Sequence, residues 1–120
     1  MTPIRLSESE MRFMKMIWSK QPVRSSVLVD MCAERFGWKK STTYTMLKRL
    51  ELKGAVKNEK TVVTAVAEED DVGSKESDRF VTEQFDGSLP RFIAAFLGDK
   101  KITDEEAEEL KKLIDSYVED

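Results

Sequence analysis

The chain has 120 residues, of which 40% are hydrophobic and 36% are charged, with a single cysteine and no histidine. That length fits one compact domain, or one small domain with an appendage. Without histidine, enzymes that use a histidine base and Cys/His zinc sites are excluded, and the lone Cys32 excludes a disulfide within the chain. Catalysis by carboxylates remains possible in principle, but no acidic pair marks a catalytic pocket. We therefore expect no enzyme, no cofactor and no bound metal.

The sequence shows neither a membrane segment nor a signal peptide. No run of about 18 apolar residues exists. The N-terminal stretch MTPIRLSESE lacks the apolar core of a signal peptide. We therefore expect a cytoplasmic protein that does not bind a membrane directly.

The net charge of −3 combines two halves of opposite sign. Residues 1–67 contain 13 Lys and Arg against 6 Asp and Glu, a balance of +7. Residues 68–120 contain 7 Lys and Arg against 17 Asp and Glu, a balance of −10. Such an asymmetry is typical of a basic half that meets a polyanion and an acidic half that does not.

Two amphipathic helices are predicted at the start of the basic half. In SESEMRFMKMIWSK, Ser7 and Glu10 match the S-x-x-E capping box, and the apolar residues after them recur at helical spacing. The second helix, SSVLVDMCAERFG, ends at Gly37. Cys32 lies on its apolar stripe, so we interpret it as a small buried hydrophobe, with a redox-sensing thiol as the alternative.

The stretch KKSTTYTMLKRL, residues 39–50, predicts a third helix with an unusual polar face. Its apolar residues and one threonine are spaced to face a core, namely Thr43, Met46, Leu47 and Leu50. The side chains left outward are hydroxyls, a phenol and cations, namely Ser41, Thr42, Tyr44, Thr45, Lys48 and Arg49. These groups can hydrogen-bond both phosphates and base edges. A solvated charged face is an equally good interpretation of this helix when it is taken alone.

A change of period after Gly54 predicts a β-hairpin. The stretch AVKNEKTVVTAVA is rich in Val and Thr, and Asn58, Glu59 and Lys60 form its predicted turn. Three helices followed by a hairpin is the order of a winged helix-turn-helix, in which the last helix before the wing enters the major groove of DNA.

The sequence resembles the BlaI/MecI penicillinase-repressor family over nearly its whole length. The similar blocks are LSESEMRFMKMIW, GWKKSTTYTMLKRLELKGAV and SLPRFIAAFLGDKKITDEEAEELKKLI. The most specific match is the set Trp38, Thr42, Thr45, Arg49, Leu50 and Gly54. The resemblance implies a mainly α-helical, dimeric repressor, with a winged helix-turn-helix DNA-binding domain followed by a three-helix dimerisation domain.

DNA-contacting residues follow from the outward face and from the resemblance together. Thr42, Thr45 and Arg49 match hydroxyl and basic positions of the family's recognition helix, whereas Ser41 and Tyr44 depart from it. We expect these five residues to read bases. We expect the lysines to contact phosphates, namely Lys39, Lys40, Lys48, Lys57 and Lys60. The hairpin lacks the Gly-Arg turn of the family's wings, so wing contacts are reduced to Lys57 and Lys60.

The acidic half is predicted to begin with a solvated linker at residues 68–73, after a winged helix domain at 1–67. Three short helices are expected in residues 74–120, and their apolar stripes are too large for so small a segment to bury alone. We therefore predict a homodimer formed through this region. The predicted contact residues are Phe80, Phe85, Leu89, Phe92, Ile93, Phe96, Leu97, Leu110, Leu113, Ile114 and Tyr117.

The resemblance also implies a mechanism of induction. In the family, a membrane-bound zinc-protease sensor that responds to β-lactams starts the process that cleaves the dimerisation domain at an Asn-Phe bond. The matching bond here is Ala95-Phe96, in which the phenylalanine is kept and the asparagine is not. Packing in a core accounts for Phe96 without any protease.

The sequence thus predicts a repressor that binds a palindromic double-stranded DNA operator as a homodimer, with regulation of antibiotic resistance as the family context. The alternative is a protein-interaction adaptor whose winged helix domain does not bind DNA. The balance of +7 in the first half favours the repressor, because an adaptor has no need of it.

Overall fold

A computed structural model of the chain describes residues 4–119. The helices of this range are α1 (Glu8–Lys20), α2 (Ser25–Phe36), α3 (Lys40–Leu52), α4 (Glu69–Phe85), α5 (Leu89–Leu97) and α6 (Asp104–Ser116). The strands are β1 (Val23–Arg24), β2 (Val56–Glu59) and β3 (Val62–Ala65). The chain divides into two compact units, one up to Arg79 and the other from Phe80 onward.

The first unit has a core built from α1, α2, α3 and the sheet. The predicted capping box of α1 is confirmed, because Ser7 Oγ accepts from the backbone N–H of Glu10 at 3.2 Å and Glu10 Oε1 accepts from that of Ser7 at 2.8 Å. The largest fully buried side chains come from all these elements, namely Phe13, Met14, Ile17, Leu28, Cys32, Thr43, Leu47, Leu50 and Val63. The methionines of α1 and the thiol of Cys32 therefore pack as core residues.

The sheet has three antiparallel strands in the order β1-β3-β2. The predicted hairpin of β2 and β3 is confirmed, but its predicted turn is wrong. Asn58 and Glu59 belong to β2 and lie opposite residues of β3, and the turn consists of Lys60 and Thr61. Both turn residues have positive φ, 52° and 69°, as a two-residue type I′ turn requires.

Together α1, α2, α3 and this sheet form a winged helix, which confirms the predicted mainly α-helical fold class. The two-residue strand β1 was not predicted from the sequence, because it is too short to show alternation. It joins the end of α1 to the start of α2 and pairs with β3, so the wing is held to the helical core along one edge.

The prediction of an unpacked acidic linker at residues 68–73 is wrong, because the chain is helical from Glu69 onward. The acids Glu69, Asp70 and Asp71 occupy the first turn of α4, where the helix macrodipole favours negative charge. Val72 is buried in the core of the first unit. Helix α4 has 17 residues rather than being a short helix, and the division between the two units falls inside it.

The second unit contains the end of α4 together with α5 and α6. Ser88 Oγ and Thr103 Oγ1 cap α5 and α6 by accepting from the backbone N–H of Arg91 and Glu106. Among the described residues of this unit, no side chain is buried, although α5 and α6 carry long apolar stripes.

Candidate nucleic-acid interface

Helix α3 presents its polar side chains outward, as the sequence predicts. Its inward residues are all buried, namely Thr43, Met46, Leu47 and Leu50. Its outward residues are all exposed, namely Ser41, Thr42, Tyr44, Thr45, Lys48 and Arg49. Residues three or four positions apart lie on the same face of a helix, so the buried residues share one face. Because that face packs on the core, the remaining residues must point outward.

The outward face has a centre and two flanks. With about 100° of rotation for each residue, Ser41, Thr45 and Lys48 lie in one line opposite the buried stripe. Thr42 and Arg49 lie on one side of that line, and Tyr44 on the other. The central line therefore points most directly away from the core, and the flanking residues lean to either side of it.

Leu52 continues the central line at the end of α3 and is 78% exposed. Sequence reasoning missed it, although its spacing from Ser41, Thr45 and Lys48 repeats the helical period and could have revealed it. An exposed leucine on the same line extends the polar face with an apolar surface at its C-terminal end.

The cations of α3 have no acidic partners in the described part of the chain. Between residues 4 and 119, no carboxylate oxygen lies within 4.0 Å of the charged groups of Lys39, Lys40, Lys48 or Arg49. The first turn of α3 has no acidic residue, and its N-cap Lys39 makes no side-chain capping bond. Positive charge at a helix N-terminus opposes the macrodipole, so an anion at this end would relieve the conflict.

The wing supplies the two predicted phosphate-binding lysines in different settings. Lys57 Nζ lies 3.6 Å from Glu59 Oε1 in an exposed ion pair. Lys60 lies at the wing turn and has no such partner within residues 4–119. An exposed pair of this kind is weak, so Lys57 stays available to a phosphate, but Lys60 is the less neutralised of the two.

Cys32 lies at the centre of the first unit, where its Sγ is 3.8 Å from Met16 Sδ. Burial raises the pKa of the Cys32 thiol above its ordinary value. A protonated buried thiol is a poor nucleophile, which supports the interpretation of Cys32 as a core residue.

The predicted dimerisation residues of the second unit are exposed or half-buried. The rings of Phe80, Phe85 and Phe92 pack against one another with centroids 5.6 to 6.0 Å apart, and Phe96 follows at 6.1 Å from Phe92. Five stripe residues are at least half exposed besides Phe80, namely Leu89, Phe96, Leu113, Ile114 and Tyr117. The Ala95-Phe96 bond lies inside α5, near its C-terminal end.

Neither a metal site nor a membrane span is found in the part of the chain that the structure covers. Over residues 4–119, no three His, Cys, Asp or Glu side chains come together in a way that could hold a metal ion. No helix in the same range has both the length and the apolar content to cross a membrane.

Comparisons with known proteins identify repressors and regulatory proteins that are similar to this chain. A family model described as penicillinase repressor matches residues 6–116 of the chain. The chain is 26% identical to the penicillinase repressor of Bacillus licheniformis over 117 residues, which cover 94% of this chain and 91% of that protein. It is 23% identical to the methicillin resistance regulatory protein MecI of Staphylococcus aureus strain N315 over 113 residues, which cover 91% of this chain and 92% of that protein.

A solved structure supports the same fold. The solution structure of the DNA-binding domain of the repressor BlaI matches with a TM-score of 0.54 and 28% sequence identity. The match covers 58% of this chain and 90% of that one, so the similarity extends over nearly the whole of a DNA-binding domain.

Proposed function

Because the chain belongs to the penicillinase-repressor family, we propose that it is a transcriptional repressor that binds a palindromic DNA operator as a homodimer. The observation that carries this proposal is the outward face of α3, where hydroxyls and cations stand on a winged helix and the cations have no acidic partner within residues 4–119. A helix of this kind lies in the major groove and reads base edges with its outward side chains.

Base reading and phosphate binding divide along α3. Ser41 and Thr45 lie on the central line and would reach base edges, with Thr42, Tyr44 and Arg49 beside them. Threonine methyl groups and an aromatic ring suit the methyl group of thymine, and an arginine suits guanine. Lys39 and Lys40, at the N-terminus of α3, would contact phosphates together with the wing lysines Lys57 and Lys60. Lys48 lies on the central line, so it suits either a phosphate or a base.

The homodimer is proposed from the second unit. Covering one phenylalanine or leucine side chain contributes about 1.5–3 kcal/mol, and the described residues of this unit bury none of theirs. A second copy, related by a two-fold axis, would cover the predicted stripe residues and would present two α3 helices to the two halves of a palindrome.

Induction by proteolysis is proposed on the same family grounds. A membrane-bound sensor protease would cleave the Ala95-Phe96 bond and so disrupt the dimer. Phe96 is 62% exposed in the single chain, and it is one of the stripe residues that the second copy would cover, so cleavage beside it would act directly on the proposed dimer contact. Separation of the two copies of the dimer would release DNA, because one winged helix alone lacks the gain in affinity from binding two half-sites together.

Replacement of Arg49 tests DNA binding. A duplex selected by the wild-type protein from a random library serves as the operator, and fluorescence polarisation measures its affinity. Arg49→Ala should weaken binding by about 1–3 kcal/mol, because a bidentate contact to a base or phosphate is lost. Arg35→Ala, which removes an exposed arginine from the last turn of α2, is the matched control and should bind as the wild type does.

Two outcomes would contradict the proposal at different levels. An unchanged affinity of folded Arg49→Ala would remove Arg49 from the interface. Failure of the wild-type protein to bind any duplex at low salt would overturn the repressor and favour the adaptor, since phosphate contacts alone should give measurable binding under those conditions.

A further inference from the structure

Strand β1 brings a residue from the start of α2 to the tip of the wing. Arg24 pairs with Val62 of β3, and the backbone N–H of Ser25 donates to the carbonyl oxygen of Thr61 at 2.8 Å. Thr61 and Lys60 form the wing turn. The pairing therefore places Arg24 beside a turn that is far from it in the sequence.

The Arg24 side chain points away from the core. Successive residues of a strand face opposite sides of a sheet, and Val23 is buried whereas Arg24 is exposed. On the same outer side, the register places Glu59 of β2 across Val62 from Arg24. The carboxylate of Glu59 pairs weakly with Lys57, at 3.6 Å, and among the described residues it does not come within 4.0 Å of the charged group of Arg24 or of Lys60.

Two cations near the wing tip thus have no acidic partner in the part of the chain that the structure describes. Across residues 4–119, no carboxylate oxygen comes within 4.0 Å of the charged group of Arg24 or of Lys60. Arg24 is also the N-cap of α2, which has no side-chain cap and no acidic residue in its first turn. The positive end of that helix adds to the charge of the two side chains.

We propose that Arg24 and Lys60 form a phosphate-binding position at the edge of the wing, separate from α3. This inference rests on the proposed function, and its ligand is a backbone phosphate of the same duplex that α3 enters. A guanidinium group binds phosphate oxygens through two parallel hydrogen bonds, and the lysine adds a point charge. Neither side chain belongs to the helix that reads bases, so the position orients the protein on DNA without selecting a sequence.

Salt dependence measures this position directly. The logarithm of the binding constant falls with the logarithm of salt concentration, with a slope of about −0.9 for each phosphate contact on duplex DNA. Arg24→Gln should make the slope shallower by about one contact. It should weaken binding to the selected operator and to an unrelated duplex by the same factor, which leaves the ratio of the two affinities unchanged.

Two further variants make the test specific. Lys60→Gln should change the slope in the same direction, and the double variant should lose less than the sum of the two, because both side chains meet one phosphate. Arg35→Gln removes the same type of residue from the other end of α2 and should leave the slope unchanged. Circular dichroism before titration establishes that each variant is folded.

The outcomes separate this inference from the proposed function. If Arg49→Ala weakens binding while Arg24→Gln and Lys60→Gln leave the slope unchanged, the wing-edge position is overturned and the repressor stands. If Arg24→Gln weakens binding to the operator alone, Arg24 reads bases and the phosphate assignment is overturned. If the wild-type protein binds no duplex, the proposed function is overturned, and this inference is overturned with it.

Discussion

Glu10 and Lys53 connect the N-terminus of α1 to the C-terminus of α3. Glu10 Oε1 accepts from Lys53 Nζ at 2.7 Å, and the same ammonium group donates to the carbonyl oxygen of Arg5 at 2.7 Å. Burial acts to raise the pKa of the Glu10 carboxyl group. The hydrogen bonds from Lys53 and Ser7 and the charge of Lys53 together outweigh burial, and they lower the pKa below its ordinary value.

The lowered pKa of Glu10 predicts a loss of stability in acid. Ionised Glu10 stabilises the folded state above the ordinary glutamate pKa, and that contribution is lost as the pH falls through the lowered value. Glu10→Gln should reduce the free energy of unfolding by about 1–2 kcal/mol at neutral pH. In urea unfolding, the difference from the wild type should shrink at about pH 3, where the carboxyl group is protonated in the unfolded chain.

Glu8→Gln is the matched control for this prediction. Glu8 lies in the same turn of α1 and pairs with Arg12 at 2.9 Å, but both side chains are more than 60% exposed. An exposed pair contributes less than about 1 kcal/mol. A loss at Glu8 as large as at Glu10 would contradict the argument that burial makes the Glu10 pair matter.

Local sequence spacing predicted the bonds between Ser7 and Glu10 but not the pair between Glu10 and Lys53. The bond between Ser7 and Glu10 spans three residues and follows from the S-x-x-E pattern. Lys53 lies 43 residues from Glu10, so no local pattern could associate them. The same limit applies to Arg24 and Lys60, which meet only because β1 pairs with β3.

At the scale of the elements, helix α3 was predictable in both its inward and outward faces. Its period is helical over three turns, and each buried residue was identified. The position of the wing turn was not predictable. Asparagine is common in turns, so the predicted turn was placed at Asn58, which lies in β2. Lys60 and Thr61 adopt positive φ without the glycine or asparagine that normally announces such a turn.

The start of α4 belongs to the first unit, so it should contribute to the stability of that unit. Val72 is 5% exposed, and Trp18 Nε1 donates to the carbonyl oxygen of Ala67 at 2.8 Å just before the helix. Val72→Ala should cost about 1–2 kcal/mol in urea unfolding, because the lost burial and the cavity outweigh the better helix propensity of alanine. Val66→Ala, at a 57% exposed position, should change stability by less than about 0.5 kcal/mol.

An equal response of the two valine variants would contradict the packing of α4 on the first unit. The acidic run misled the prediction here. Glu69, Asp70 and Asp71 are solvated, as expected of such a run, but they are solvated within the first turn of a helix. A charge pattern identifies exposure and does not by itself exclude secondary structure.

At the scale of the whole molecule, the two units differ in how they are stabilised. The first has a continuous core that includes 15 buried hydrophobic residues. The second has none among its described residues, and its apolar stripes remain at the surface. The amphipathic patterns of α5 and α6 were predictable from the sequence, but the described residues of the second unit do not cover these apolar stripes.

Replacement of Leu113 tests the proposed homodimer. Light scattering of the wild-type protein at micromolar concentration should give twice the 13.8 kDa mass of one chain. Leu113→Asp should shift the mass toward that of one chain, because a carboxylate would be desolvated at the interface. Its affinity for the palindromic operator should fall by about a hundredfold or more, because the two half-sites are no longer bound together.

Leu52→Asp replaces an even more exposed leucine in the first unit, 78% against 54% for Leu113, so it should leave the measured mass unchanged. A wild-type protein that is folded and monomeric at micromolar concentration would contradict the homodimer. A dimer that persists in Leu113→Asp would place the interface elsewhere.

The position of the Ala95-Phe96 bond inside α5 has a kinetic consequence. The last turn of this helix would have to unwind before the bond could enter a protease active site as extended chain, so the proposed cleavage would proceed through a minor, locally open state. When opening is fast compared with cleavage, the rate of cleavage follows the population of that state. Substitutions that stabilise the end of α5 would thus lengthen the half-life of the intact repressor. The duration of repression after induction would then depend on the stability of one helical turn.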